Sequence, residues 1–154
     1  MIQRIQTVYL FIIAILSVAM LFMPLAVLQS GDQFMSFDAT GISTMTTQQP
    51  ELIYPTWGLF ALSAIVALIA LFTIFLFKKR MLQIRLCVFN AILMLGIYGM
   101  FGFFIWNLKG QMDNVAVSLK FALAFPLVSL ILDYLAIRNI GADEALVRSL
   151  NRLR

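Results

Sequence analysis

The chain has no histidine, and a single cysteine, Cys87, among its 154 residues. The first absence excludes histidine-based general base catalysis, Ser-His-Asp and Cys-His triads, and the usual zinc, haem and copper ligand sets. The second excludes an internal disulfide. Cys87 falls inside an apolar run, where a small buried hydrophobe is the ordinary role of a thiol and a reactive one the exception. Charge is also scarce. Asp, Glu, Lys and Arg make up 12% of the chain, against about 25% in a soluble domain. No zinc spacing, ribonucleoprotein aromatic motif or phosphate-cradling glycine loop occurs, so no cofactor, no metal and no nucleic acid partner is expected. The net charge of +4 then points to membrane topology and anionic lipid headgroups.

What the chain does have is apolar residues, 62% of it, gathered in four runs. Spans are expected at 8–28, 56–77, 86–106 and 117–137. Each is close to the roughly 20 residues that cross a hydrocarbon core at about 1.5 Å per residue. The first is longer than the apolar stretch of a signal peptide, and no small-residue cleavage site follows it, so it reads as a retained span. Pro24 falls in its last turns, where freed backbone groups near the interface cost little. Ala61, Ala64, Ala67 and Ala70 on the second span, and Gly96, Gly99 and Gly102 on the third, form small-residue stripes suited to close helix packing within the bundle. Pro126, near the middle of the fourth, predicts a kink. Only 78–85 separates spans two and three, which therefore form an antiparallel hairpin.

The expected class is all-α: a single-domain four-helix transmembrane bundle over 1–154. The polar segment 29–55 is the first outer loop, with three acids (Asp32, Asp38, Glu51) and no base. Its alternating FMSFDAT, followed by ISTM, leaves room for a short β-hairpin. Arg4, Lys78, Lys79, Arg80, Arg85, Arg138, Arg148, Arg152 and Arg154 lie on one side of the spans, and only Lys109 and Lys120 on the other. The positive-inside rule then puts both termini in the cytoplasm. In the tail, 138–154, Gly141 is expected to break the helix. Asp143 and Glu144 would start a new amphipathic one on the inner membrane surface, with Leu146, Leu150 and Leu153 along one stripe.

Asp133 is the residue most open to a chemical role. On these boundaries it lies about one turn inside the cytoplasmic end of span four, and an acid there needs a partner. Arg4, Arg85 and Arg138 are the candidate bases, with Gln3, Gln6, Gln83 and Asn90 as hydrogen-bonding neighbours. Such an inner-leaflet cluster reads first as a tether that fixes helix register. A proton relay or headgroup site is the functional alternative, but a carrier typically keeps its ionisable group near the midplane. Lys120 is expected to snorkel to the outer headgroups, and Tyr98 to pack with a local hydrogen bond. Ser63 and Ser129 have no lysine at plausible depth, so no enzyme is expected.

The opening MIQRIQTVYL, the hairpin IFLFKKRMLQIRLCVFN and the ending DEALVRSLNRLR resemble a family of small four-span inner-membrane proteins of the Bacteroidota, a domain-of-unknown-function family. The family pattern has an asparagine where this chain has Lys79. The resemblance implies four helices in the bacterial cytoplasmic (inner) membrane and brings no activity or substrate. The expected role is an accessory, assembly or scaffold subunit. Arg80, Arg85, Arg148 and Arg152 would present a basic cytoplasmic face to anionic lipid or to a membrane or cytoplasmic protein partner. A small-molecule or ion carrier working as an oligomer is the alternative.

Overall fold

The apolar runs fold as four helices: α1 (Ile2–Phe22), α2 (Trp57–Phe75), α3 (Arg80–Gln111) and α4 (Phe125–Arg152). All four are long and apolar enough to cross a membrane. The computed structural model describes residues 2–45 and 52–153, and only the backbone of Ile2, Gln3, Arg4, Ile53 and Tyr54. Expectations placed on the side chains of Gln3 and Arg4, and on Glu51 and Arg154, lie outside what is described.

Each helix packs on its neighbours in the chain, and α1 closes the ring on α4. The start of α1 meets the end of α4 through Gln6 and Asp143. The end of α2 meets the start of α3 through Thr73 and Gln83. The helices therefore alternate in direction around a square. Their buried residues recur at spacings of three and four: Gln83, Cys87, Asn90, Met94, Ile97 and Phe101 on α3, and Pro126, Ser129, Asp133, Ala136, Ile140 and Asp143 on α4. That is the seam of antiparallel helix packing. The opposite face of α3 exposes Phe89, Ile92, Leu95, Phe103 and Trp106. Amide side chains inside and large apolar ones outside reverse the polarity of a soluble helix.

The segments joining the helices at one end build a small sheet, so the chain is mostly helical rather than all-α. Strands β1 (Ala26–Ser30), β2 (Gln33–Phe37), β3 (Gly41–Thr44), β4 (Leu52–Pro55) and β5 (Val115–Leu119) pair antiparallel in the order β4-β3-β2-β1-β5. Gly31 turns β1 into β2 at φ +60°, a conformation that costs glycine nothing. Alternate residues point into the bundle: Ala26, Leu28, Met35 and Phe37 are all fully buried. Phe37 lies edge-on to Phe101 of α3, ring centres 4.9 Å apart, and near Phe104 at 6.4 Å. The sheet is thus a lid fastened by aromatic contacts. Thr56 fixes its far side: the hydroxyl donates to the Asp38 and Ala39 carbonyls at 2.9 and 3.1 Å.

The sheet moves two expected boundaries. Span one does not reach residue 28: α1 stops at Phe22, and Pro24 separates it from β1 instead of riding in the helix. Span four does not begin at residue 117. Val117 belongs to β5, which pairs with β1 through Val117 and Leu28. A short 3-10 turn (Phe121–Ala124) follows, and α4 begins at Phe125. Pro126 occupies the first turn of α4, where its missing N–H is no loss, so it starts the helix and does not kink it.

The tail differs too. Gly141 does not break α4, which runs without interruption to Arg152. A single glycine costs a helix only about 1 kcal/mol, and tertiary contacts beyond it hold the next turn. In the glycine stripe, Gly99 and Gly102 have open space where a side chain would stand, so they are not packing surfaces of this bundle. The close approach is at Gly58, where a Cβ would lie 2.6 Å from the Cε of Met100.

Candidate functional site

The polar residues of the interior are concentrated away from the sheet. Gln83 Nε2 donates to the Thr73 carbonyl at 3.1 Å, a second donor to a carbonyl of the last turn of α2 that also accepts from the Leu76 N–H. Gln6 Nε2 donates to Asp143 Oδ2 at 2.7 Å, and Arg80 Nη1 to the Asp143 backbone carbonyl at 3.2 Å. Gln6 and Asp143 are both buried. They tie α1, α3 and α4 together at the end of the bundle that carries the α2–α3 turn.

These bonds fix the level of Asp133. Asn90 follows Arg80 by ten residues on α3, and Asp133 precedes Asp143 by the same ten on α4. At the other end, the Tyr98 hydroxyl donates to the Leu123 carbonyl and accepts from the Leu127 N–H, both at 2.8 Å. This second tie confirms the antiparallel register and caps the first turn of α4. Asp133 and Asn90 are therefore level. Val66, the central residue of α2, is level with them too: it precedes Thr73 by seven residues, as Asn90 follows Gln83 by seven. Asp133 stands halfway along the bundle, not one turn from its end.

The correction has a single cause. Moving the start of the fourth helix from residue 117 to 125 slides every residue of α4 about 12 Å relative to the other helices, at about 1.5 Å per residue. A pairing with Arg138 on the same helix fails for another reason. Five residues is about 500° of rotation, which puts the two side chains some 140° apart. Arg138 and Arg85 are both exposed, while Asp133 is fully buried. The expected cluster is thus split. Asn90 and Asp133 share the centre, Gln83 lies one level below at Thr73, and Arg85 and Arg138 are on the outside.

Asp133 has Cys87 of α3 beside it. Neither carboxylate oxygen of Asp133 and neither amide atom of Asn90 has a hydrogen-bond partner among the described residues. Each unpaired buried polar group costs about 1–3 kcal/mol, and a bare buried charge considerably more. One turn toward the sheet, Ser17, Ser63, Met94 and Ser129 border a cavity of about 10 Å³, close to the least that holds one water. Beyond it the interior is Met20, Leu59, Ile97, Phe101 and the buried face of the sheet.

The basic end forms a second surface. Lys78, Lys79, Arg80 and Arg85 surround an open basin floored by Met81 and Leu82, with Glu144 on its wall. Glu144 also accepts from Arg148 at 3.1 Å, one turn on. Arg152 is exposed, as are Leu146, Leu150 and Leu153. Asp143 and Glu144 do not start a helix. They lie within α4, and Asp143 is a core contact that the sequence reading missed. Its signal was the spacing from Asp133 and Ile140 along one buried stripe.

No curated protein matches this chain. Over residues 2–153 it matches the family described as Domain of unknown function (DUF4293). The chain belongs to that family. The DUF4293 match runs through the helices and strands of the described residues alike. The family description names no activity, and any functional reading of a DUF4293 chain rests on its geometry.

Proposed function

We propose that this DUF4293 chain is a non-catalytic integral protein of the bacterial cytoplasmic membrane, of Bacteroidota type, acting as an accessory, assembly or scaffold subunit. It crosses the bilayer four times. Both termini and the α2–α3 turn lie in the cytoplasm, and the sheet lies outside. The inside-out polarity of the helices supports the membrane setting, and Trp57 and Trp106, exposed toward the sheet end, suit the outer headgroup level. The observation that carries the role is the basic rim. Four cations of the α2–α3 region and the arginines at the end of α4 project from one end of the bundle, beside exposed Met81, Leu82, Leu146 and Leu150. Cations over apolar side chains match the phosphate and upper acyl region of an anionic lipid, and that lipid can orient the subunit for a partner protein.

The test is purification in mild detergent of the chain lacking 146–154, which keeps Asp143 and Glu144, and of a triple variant Lys78→Gln, Lys79→Gln, Arg85→Gln, which keeps Arg80. Both should lose co-purifying phosphatidylglycerol and protein partners. Unchanged lipid and partner content in both would overturn a docking role for this end.

The carrier reading draws support from one observation, the mid-bundle level of Asp133. The apolar interior between that level and the sheet weighs against it, because a carrier needs access from both sides.

A further inference from the structure

We propose that Asp133 and Asn90 form a proton-binding site at the centre of the bundle, reached from the basic end and closed toward the sheet. The proposal rests on the membrane setting given above, and it adds a ligand to the interior.

Four buried polar atoms lie near one level of the bundle without a hydrogen-bond partner among the described residues: Oδ1 and Oδ2 of Asp133, Oδ1 and Nδ2 of Asn90. A carboxylate offers only acceptors, and an amide offers one acceptor and one two-proton donor. One proton on Asp133 resolves the mismatch. No direct bond joins the two side chains, so one water between them takes the acid's hydrogen bond and passes it to the Asn90 amide, and the site carries no net charge. A partner protein cannot supply a base instead, because Asp133 is fully buried within its own bundle.

Asp133 is faced by Cys87 from α3, whose S–H is a weak donor that cannot neutralise a carboxylate. The buried residues nearest its level are Ile13, Ala14 and Ser17 on α1 and Ser63, Val66 and Ala67 on α2, and none of these carries a charge. Arg85 and Arg138, five residues away along α3 and α4, face outward, and the nearest buried charged group, Asp143, is ten residues away, about 15 Å along the helix. A sodium ion fits less well, since it wants several oxygen ligands, and no group of three or more His, Cys, Asp or Glu side chains gathers among the described residues.

Access is one-sided because the buried stripe of α3 changes character at this level. Toward the basic end it reads Asn90, Cys87, Gln83; toward the sheet it reads Met94, Ile97, Phe101. Gln83, Gln6, Asp143 and Arg80 continue the polar series to the surface. On the other side, the small cavity bordered by Ser17, Ser63 and Ser129 ends against Met20, Ile97 and Phe125.

The probe is dicyclohexylcarbodiimide, an apolar reagent that adds to a protonated carboxyl and is slow with a carboxylate. Full-length protein in detergent is labelled across a pH series and the adduct located by peptide mass spectrometry. Asp133 should carry it, labelling should fall as pH rises, and sodium at fixed pH should not protect. Asp133→Asn should melt like the parent and lose the adduct. Asn90→Leu should move the labelling midpoint by about one pH unit or more, as expected for loss of a hydrogen bond to one protonation state; an Asn90 that only fills space would leave it unmoved. Absence of an adduct on Asp133 at every pH, in protein where an exposed carboxyl reacts, would overturn the site. Protection by sodium would replace the proton with a metal cation and overturn the proposal as stated. In oriented vesicles the labelling should follow the pH on the side of the basic end; dependence on the sheet side would overturn the one-sided access. The detergent experiment does not depend on orientation or docking, so its failure is distinct from failure of the proposed role.

Discussion

The two halves of the bundle are built on opposite chemistries. Toward the sheet, α3 buries Met94, Ile97 and Phe101, and Phe37 of the sheet completes their packing with an edge-on ring. Toward the basic end, the same stripe buries Asn90, Cys87 and Gln83, and the contacts between helices are amide and carboxylate bonds. The first half gains from dispersion and close packing, which in lipid are the main forces between helices. The second gains less per contact, because hydrogen bonds between membrane helices average well under 1–2 kcal/mol. The difference teaches where stability and adaptability reside. The sheet half is a fixed anchor. The basic half is held by a few directional bonds.

The comparison can be broken by truncating each half in turn. The largest loss is expected for Phe37→Ala, about 3–5 kcal/mol, from removal of a fully buried ring and the cavity it leaves. Asp143→Ala should cost less, about 1–3 kcal/mol, by leaving the Gln6 amide unpaired. Thermal unfolding in one detergent ranks the two, and a larger loss at Asp143 would reverse the assignment of anchor and adaptable end. Gly58→Ala sharpens the picture at the α2–α3 contact. Its new methyl meets the flexible end of Met100 at 2.6 Å, so the chain should lose about 1 kcal/mol as the methionine rotates away. A loss several times greater would mean that the sheet half cannot adjust at all.

The four helices were legible because long uninterrupted apolar runs have few other uses. Their boundaries at the sheet were not. Ala26–Ser30 and Val115–Leu119 are apolar enough to extend the neighbouring spans, and a short apolar run does not separate strand from helix. The signals that decide were present but ambiguous. Pro24 ends α1, Pro126 starts α4, and Val115 and Val117 favour a strand. The misplacement of one boundary carried the candidate site with it, since the level of Asp133 depends on where α4 begins. Its burial could be foreseen from the cost of a charge in hydrocarbon. Its common level with Asn90 could not, because register comes from contacts such as Tyr98 with Leu127 that sequence spacing does not reveal. Gly141 and the acids after it imitate a helix start. What overrides them is the tie between Asp143 and Gln6, far apart in the chain.

Everything functional here depends on a bilayer surrounding the bundle, with the sheet on one side and the basic end on the other. An impermeant maleimide tests this most directly. In a Cys87→Ala background, Gln33→Cys places one thiol on the exposed edge of the lid and Asn151→Cys another at the end of α4; both positions are exposed. Intact cells should label position 33 and spare 151, and permeabilised cells should label both. Labelling of 151 in intact cells would contradict the account.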